Sequence, residues 1–513
     1  MTQAPVSPNI DAPRIKNGQS VDTLTQNGLT VYQFCSSTET LRDEDSSRLE
    51  QLRIQAESNI ALMKAFLGDK VNDAVYAAAT VYPLLREALT NDKITHDAVV
   101  GDLVRLAPAD KRHYLRGLCL DANDIFDKEQ SLHVDGAPET AEGWIDLQSS
   151  PLSFDDLDEL ANNVNLESLA ITAIDILNRL NEAAPADEDT YRAIHISEKL
   201  YVPLCEIVGL DGLAMELRSR ANILRLKHSG NYHFVQEAHQ ILGEHGFPQH
   251  MEAFEFAEAM LADIGIENIG EHAVSVTNDH NTIIGHGLAE LLSDDEEPTI
   301  FRYVFRGKSI GSLAMKLFKQ SDKGSAERGA PMDLFGVTLI TDNRDPVGRI
   351  ARTISDKIQD NTPGNLYFKN TPSRSQSTVI YGDDEYKQAI FASTGWNPDT
   401  TDSAVREGSN LEVTKVTFVR GASYIEVQLL TEDERHRSRI SSDNAHVIFK
   451  YERLSGKKMT PEERYRAGEI IARLHGRRDN MRIAMLSEQS EQKLARHQRR
   501  QTGSRVASIT VSL

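Results

Sequence analysis

The segment RGKSIGSLAMKLFK, residues 306–319, spaces basic and hydroxyl side chains at intervals that suit one helix face. With about 3.6 residues per turn, four of them share one narrow sector: Lys308, Ser312, Lys316 and Lys319. The opposite face is apolar and is formed by Ile310, Leu313, Ala314 and Leu317. Arg306 stands just before the first turn, where backbone N–H groups lack partners. Such an array suits a polyphosphate, and the alternative is an ordinary surface helix with a solvated basic face.

Two carboxylates follow in strand-like segments. In YIEVQLLT (residues 424–431) the alternation directs Glu426 away from the apolar face, and Asp333 begins DLFGVTLIT (residues 333–341). Taken singly, Glu426 is a solvent-facing residue and Asp333 a turn residue. Taken together, two carboxylates from neighbouring strands can hold Mg²⁺, which commonly uses one or two carboxylates plus substrate phosphates. The residues therefore predict a phosphoryl- or pyrophosphoryl-transfer site.

The order of these motifs resembles the synthetase domain of RelA/SpoT homologues, the (p)ppGpp enzymes, over about residues 301–451. The motifs are Arg306-x-Lys308-x-x-x-Ser312-x-x-x-Lys316, Asp333 to Val337, Gln376-Ser377, and Glu426-Val427-Gln428-x-x-Thr431. His436 and the stretch NAHVIFKY, which contains His446, continue the likeness.

The resemblance implies a reaction in which the β,γ-pyrophosphate of ATP moves to the 3′-hydroxyl of a guanosine nucleotide, GDP or GTP. It implies that Asp333 and Glu426 are catalytic and hold Mg²⁺, with Glu426 alternatively accepting the hydroxyl proton. It assigns ATP binding to Arg306, Lys308, Ser312 and Lys316. It assigns the acceptor-nucleotide loop to Gln376, Ser377, Gln428, His436 and His446.

The first half of the chain also resembles this family. The stretch HISEKLYVPLCEIVGLDGLAMELRSRA, residues 195–221, is similar to the helix pair that closes the family's HD-type hydrolase domain. In the family, histidines and aspartates on successive helices of the hydrolase domain hold Mn²⁺. Here Gly101 precedes Asp102 where the family has a His-Asp pair, and Asn178 replaces the histidine near Asp175. Without imidazole ligands we expect no transition-metal site and no hydrolase activity.

The acceptor side departs from the family more than the donor side does. Ser375 stands where the family has a tyrosine that stacks on guanine, and Leu430 replaces an arginine. Two alternatives to the synthetase reading therefore stay open. One is an inactive nucleotide-binding or regulatory protein, and the other is transfer to an adenosine nucleotide or to the 3′ end of tRNA, with the basic tail contacting RNA.

Periodicity predicts an α+β protein in several parts. The parts are a disordered segment 1–42, an all-α hydrolase-like domain 43–230, a helical connector 231–298, an α/β nucleotidyltransferase-like domain with a mixed sheet 299–455, and a helix with a basic tail 456–513. Residues 411–421 and 424–431 are predicted to pair as a hairpin. No regulatory modules are expected after the last motif.

The composition of the chain limits the classes of partner that it can bind. The 513 residues carry a formal net charge of −21, which argues against general binding to DNA or anionic membranes. Three widely spaced cysteines and the absence of a signal-like or membrane-spanning run predict a cytoplasmic protein. The oligomeric state is left open, homo-oligomers included.

Overall fold

The computed structural model describes most of the chain between residues 43 and 478. The described residues are 43–67, 73–90, 96–107, 109–132, 136–145, 156, 159–160, 165–181, 184–208, 210–244, 258–259, 261–269, 273–277, 282–291, 299–321, 334–359, 366–368, 378–396, 411–420, 423–440, 448, 452 and 458–478. The expectations for the segment 1–42 and for the basic tail beyond 478 lie outside them.

The first half of the described chain is helical. Its helices are α1 (Asp43–Leu67), α2 (Asp73–Thr90), α3 (His96–Leu106), α4 (Arg112–Ser131), α5 (Ala141–Ile145), α6 (Leu166–Arg179), α7 (Glu188–Ile196), α8 (Val202–Val208), α9 (Asp211–His228) and α10 (His233–Glu244). A π-helical turn, Ser197–Tyr201, joins α7 to α8. The side chains of Asn165 and Asp187 cap α6 and α7 by accepting backbone N–H bonds.

The second half of the described chain contains a nine-stranded mixed sheet. Its strands are β1 (Ile266–Asn268), β2 (Ala273–Thr277), β3 (Thr282–Leu291), β4 (Ile300–Gly307), β5 (Phe335–Thr341), β6 (Leu366–Phe368), β7 (Thr378–Tyr381), β8 (Val413–Arg420) and β9 (Ser423–Thr431). The strand order is β1-β3-β4-β5-β9-β8-β6, with β2 also paired to β3 and β7 to β8. Of these pairs, β5 with β9 is parallel and the others are antiparallel.

The helices of this half are α11 (Ile310–Gln320), α12 (Asp345–Gln359), α13 (Asp384–Thr394), α14 (Glu432–Ile440) and α15 (Pro461–Arg478). One face of the sheet is buried against α12 and α13, and its core includes Tyr303, Phe305, Val337, Val427 and Phe418. The other face of the central strands presents the half-buried polar side chains of Thr338, Glu426 and Gln428, while Ile340 and Leu430 near its end are buried. Alternation along each strand thus separates an apolar face from a polar one.

Helix α11 buries its apolar stripe against the helical half. Leu313, Ala314 and Leu317 share one hydrophobic cluster with Ile223 of α9 and Val235 of α10. The amphipathic pattern of this segment is therefore satisfied by helix–helix packing, which leaves its basic stripe on the other side.

The α+β class is confirmed, and so is the hairpin, because β8 and β9 pair antiparallel from Thr414 with Leu429 to Arg420 with Ser423. The stretch 231–298 differs from a purely helical connector, since β1, β2 and β3 lie within it and join the sheet. Helix α15 returns to the helical core, where Ala467, Ile470, Ile471 and Leu474 are buried. No helix in the described part of the chain is long and apolar enough to cross a membrane.

Candidate functional site

Three neighbouring strands bring Arg306 and Glu426 into one row. Arg306 on β4 pairs with Gly336 on β5, and Gly336 pairs with Glu426 on β9. A Cβ atom at Gly336 would lie 3.5 Å from the Nε of Arg306 and 3.8 Å from the backbone oxygen of Glu426. The arginine side chain therefore lies over the glycine, on the polar face that also carries the Glu426 side chain.

The Glu426 carboxylate is held from its own strand. Gln428 Nε2 donates a hydrogen bond of 2.7 Å to Glu426 Oε1. Both side chains are half-buried, so the carboxylate is partly shielded while it remains in contact with solvent. Carboxylate oxygens are among the ligands that Mg²⁺ prefers in proteins.

The start of α11 meets the start of β5. The backbone N–H of Lys308 donates to the carbonyl oxygen of Leu334 at 2.8 Å. Leu334 follows Asp333 in the sequence, and Asp333 itself lies outside the described residues. The half-buried Lys308 thus stands where the chain enters the strand that contains Gly336.

The first turn of α11 is fixed by hydroxyl groups. Ser309 Oγ donates to Ser312 Oγ at 2.9 Å, and the Gly311 N–H donates to Ser219 Oγ of α9 at 3.1 Å. Ser312 and Lys316 are half-buried on the basic side of the helix. Helix α9 therefore sets the position of the helix that carries these predicted ATP-binding side chains.

Of the predicted acceptor residues, the structure describes Gln428 and His436. Gln376, Ser377 and His446 lie outside the described residues. Strand β7, which begins right after Ser377, pairs with β8, and β8 pairs with β9. Strand β7 is therefore two spacings, about 10 Å, away from the strand of Glu426.

His436 is also distant from Glu426. It lies exposed on α14, beyond the far end of β9. Five residues of extended chain separate Glu426 from the end of the strand at Thr431, about 17 Å. The structure thus brings Gln428 to Glu426 but not His436.

Sequence reasoning missed two residues on the same polar face. Lys415 of β8 pairs with Gln428, and its Nζ lies 5.6 Å from the centroid of the Tyr381 ring on β7. Alternation within LEVTKVTFVRG already separates Lys415 from the buried Val416 and Phe418. That signal could have found Lys415, whereas its proximity to Tyr381 depends on strand pairing.

The helical half contains a buried ionic cluster around Arg86. Its guanidinium contacts Asp175 Oδ2 at 3.0 Å and Glu129 Oε2 at 3.1 Å, and both carboxylate side chains are 0% exposed. Gln55 Nε2 donates to Asp175 Oδ1 at 2.9 Å, and the Tyr201 hydroxyl donates to Glu129 Oε1. Asp175 is thus already paired with a cation supplied by the protein.

The environment of this cluster shifts the pKa values of Arg86 and Tyr201. Burial by itself lowers the pKa of Arg86, but the carboxylates of Glu129 and Asp175 outweigh it and raise that pKa above its ordinary value. Burial raises the pKa of Tyr201, and Glu129 raises it further. The guanidinium and the phenol therefore keep their protons.

Of the other predicted hydrolase positions, Asp102 is separate from this cluster, whereas Asn178 is joined to it through Asn59, whose Nδ2 donates to Asp175 Oδ1 at 3.3 Å. Asp102 pairs with Arg105 at 2.6 Å near the surface of α3, and Asn178 Nδ2 donates to Asn59 Oδ1 at 3.1 Å. Within the described residues, no group of three or more His, Cys, Asp or Glu side chains could hold a metal ion. Of the two residues predicted to hold Mg²⁺, Glu426 is among the described residues and Asp333 is not.

No protein-family model matches the chain, and no curated protein shows significant similarity to it. The likeness to RelA/SpoT homologues rests on the order of the motifs.

Proposed function

We propose that the chain is an ATP-dependent pyrophosphokinase that acts on the 3′-hydroxyl of a nucleotide. The acceptor oxygen attacks the β-phosphorus of ATP, the bond between that phosphorus and the oxygen bridging to the α-phosphate breaks, and AMP leaves. The observation that carries this proposal is the row formed by Arg306, Gly336 and Glu426 across three neighbouring strands.

The residues of this row have distinct roles in the proposal. Arg306 supplies positive charge to the phosphates as negative charge moves onto the leaving AMP. Gly336 leaves open space beside that guanidinium, although a Cβ atom there would make only ordinary van der Waals contact with Arg306 and the β9 backbone. Glu426 stands at the acceptor end and takes the hydroxyl proton or helps to hold a cation.

The basic side of α11 binds the triphosphate in this account. Lys308 and Lys316 provide ammonium groups, and Ser312 provides a hydroxyl on the same side of the helix. The half-burial of these side chains strengthens their attraction to phosphate relative to fully solvated lysines.

A magnesium ion fits the chemistry of this donor set, since Glu426 retains one carboxylate oxygen that does not accept the Gln428 bond. Glu426 and Asp333 would hold the ion, which when bound neutralises phosphate charge.

We further propose that the helical half is a hydrolase-like scaffold without a metal centre. The support is the Arg86 guanidinium, which already forms ion pairs with Asp175 and Glu129. Incubation of the protein with ppGpp and Mn²⁺, followed by metal analysis, tests this proposal. Stoichiometric manganese together with ppGpp breakdown would contradict it.

The transfer reaction is tested with the full chain, Mg²⁺ and ATP labelled in the α-phosphate. GDP, GTP, GMP and ADP are supplied separately as acceptors, and AMP is separated by chromatography. The proposal predicts AMP release that depends on an acceptor, together with a product two phosphates heavier than that acceptor. Nucleotide binding without AMP release for every acceptor would contradict transfer and would favour a binding or regulatory protein.

A further inference from the structure

Strand β8 carries a cation on the far side of Glu426 from the predicted ATP-binding residues. Lys415 pairs with Gln428, and Thr417, two residues further along β8, pairs with Glu426. Lys415 is therefore the diagonal neighbour of Glu426, at about 8 Å by strand geometry. Arg306 lies on β4, and β5 separates β4 from β9 on the side away from β8. The polar face thus has a cation on each side of this carboxylate.

The Lys415 ammonium is held in place by an aromatic ring. It lies 5.6 Å from the centroid of the Tyr381 ring on β7, within the range in which the face of an aromatic ring attracts a cation. Both side chains are half-buried. The ring therefore orients the ammonium group without supplying a formal negative charge.

The side chains beside Lys415 on this face supply no negative charge either. They are Gln428 on β9, Thr417 and Val413 on β8, and Val379 on β7. The Glu426 carboxylate, on the diagonal, accepts its hydrogen bond from Gln428. Among the described residues, no carboxylate forms a salt bridge with Lys415. A half-buried ammonium with neutral and apolar neighbours is stabilised by an anion that comes from outside the protein.

We propose that Lys415 binds the 5′-phosphates of the acceptor nucleotide and thereby selects a mononucleotide with a free 5′-phosphate over the 3′ end of an RNA. This assignment rests on the proposed transfer function, because it takes the acceptor 3′-hydroxyl to lie at Glu426. The ribose separates that hydroxyl from the 5′-phosphate, and the diagonal separation of Lys415 from Glu426 leaves space for it. In an RNA 3′ end the same phosphate is a diester with a single negative charge, whereas a free 5′-diphosphate offers the ammonium a larger charge.

The donor and acceptor phosphates lie on opposite sides of Glu426 in this arrangement. The triphosphate of ATP binds to Arg306 and to the basic side of α11, while the acceptor phosphates bind at β8. Each of the two charged groups therefore has its own cation. Loss of the Lys415 charge should accordingly weaken acceptor binding and leave ATP binding unchanged.

The test measures binding of guanosine and GDP by calorimetry on the full chain. An ATP analogue with a methylene group between the α- and β-phosphorus is present, so no transfer occurs. The variants are Lys415→Met, which removes the charge, and Lys415→Arg, which retains it. The matched control is Lys357→Met, which removes an exposed lysine from α12, the helix that covers the opposite face of the sheet.

The expected results separate phosphate binding from folding. In the wild type, GDP should bind about ten- to a hundredfold more tightly than guanosine, the factor for a hydrogen bond between charged groups. Lys415→Met should remove most of this difference by weakening GDP binding alone, whereas Lys415→Arg and Lys357→Met should retain most of it. GDP affinity within twofold of wild type in Lys415→Met would overturn the assignment. Equal losses of guanosine and GDP affinity would also overturn it, because they would show a structural role for Lys415.

This test and the transfer assay fail in different ways. Lys415-dependent GDP binding without AMP release from ATP would support the phosphate site and overturn transfer. AMP release with an RNA 3′ end as acceptor, but with no mononucleotide, would support transfer and overturn the assignment of Lys415. An unchanged KM for GDP in Lys415→Met, with acceptor-dependent AMP release, would lead to the same conclusion.

Discussion

Gly311 of α11 lies directly against the backbone of Ser219 on α9. Its N–H donates to Ser219 Oγ at 3.1 Å, and a Cβ atom at this glycine would lie only 2.0 Å from the Ser219 carbonyl oxygen. The helix that carries the predicted ATP-binding cations therefore rests on the helical half with no space for a methyl group. The position of those cations depends on this contact.

Substitution Gly311→Ala should separate the two helices. The methyl group meets backbone rather than a flexible side chain, so we expect a loss of about 1–3 kcal/mol in the free energy of unfolding. We also expect weaker ATP binding, because Lys316 moves together with the helix. Urea denaturation and equilibrium binding of the ATP analogue measure the two effects.

Gly117→Ala is the matched control for this change. Gly117 lies inside α4, and a Cβ atom there would have no neighbour within 4 Å. Alanine should therefore be neutral or should stabilise the helix by up to about 1 kcal/mol. ATP binding that is equally strong in Gly311→Ala and in Gly117→Ala would argue against a role of the Ser219 contact in phosphate binding.

Removal of the Arg86 cation should lower the free energy of unfolding strongly and should have no part in the proposed transfer reaction. Arg86→Met leaves Asp175 and Glu129 buried without their cation, and loss of one partner of a buried ion pair typically costs about 3–5 kcal/mol. Chemical denaturation at neutral pH measures this loss. A cost below about 1 kcal/mol would show that the cluster does not hold the helices together.

A triple variant separates the effect of the buried charges on stability from the effect of side-chain packing. Arg86→Met combined with Asp175→Asn and Glu129→Gln removes all three charges together. It should recover part of the stability lost in Arg86→Met, since no uncompensated carboxylate stays buried, although the buried Arg179 loses the favourable charges of Asp175 and Glu129.

Because of Tyr386, we expect the free energy of unfolding to fall at alkaline pH. Burial raises its pKa from the ordinary value of 10.0 to about 12, and its hydroxyl lies 3.0 Å from Thr414 Oγ1. Between pH 10 and 12 the unfolded chain loses this proton and the folded chain keeps it. Stability therefore falls as pH rises through this window, with a slope of up to about 1.4 kcal/mol per pH unit from this group.

Tyr386→Phe removes this contribution. The slope of unfolding free energy between pH 10 and 12 should become shallower than in wild type, whereas Tyr465→Phe at an exposed position serves as the control. An unchanged slope in Tyr386→Phe would show that this tyrosine does not cause the loss of stability at alkaline pH.

The sequence predicted the local features of the candidate site because they depend on short-range periodicity. The basic and apolar stripes of α11 follow from its spacing, and the outward direction of Glu426 follows from alternation in β9. The pairing of Arg306 with Gly336 and of Gly336 with Glu426 could not be predicted in this way. It depends on the register between strands that are far apart in the chain.

Strand β3 shows why part of the sheet was missed. Its sequence, TIIGHGLAEL, contains two glycines, which weaken a strand pattern. The structure explains one of them, because a Cβ atom at Gly287 would lie 2.8 Å from the Tyr303 hydroxyl on the neighbouring strand. The contact between Tyr381 and Lys415 likewise requires β7 to pair with β8, although α13 lies between them in the chain.

The most direct test of the account is AMP release from ATP by Glu426→Gln, compared with wild type and with Glu267→Gln. Glu267 is an exposed carboxylate on β1 of the same sheet, so its loss removes equal charge away from the row with Arg306. With GDP as acceptor, the account predicts acceptor-dependent AMP release in wild type and in Glu267→Gln, and a loss of at least about a hundredfold in Glu426→Gln with ATP-analogue binding retained. AMP release in Glu426→Gln at the wild-type rate, or none in the wild type with any acceptor, would contradict the account.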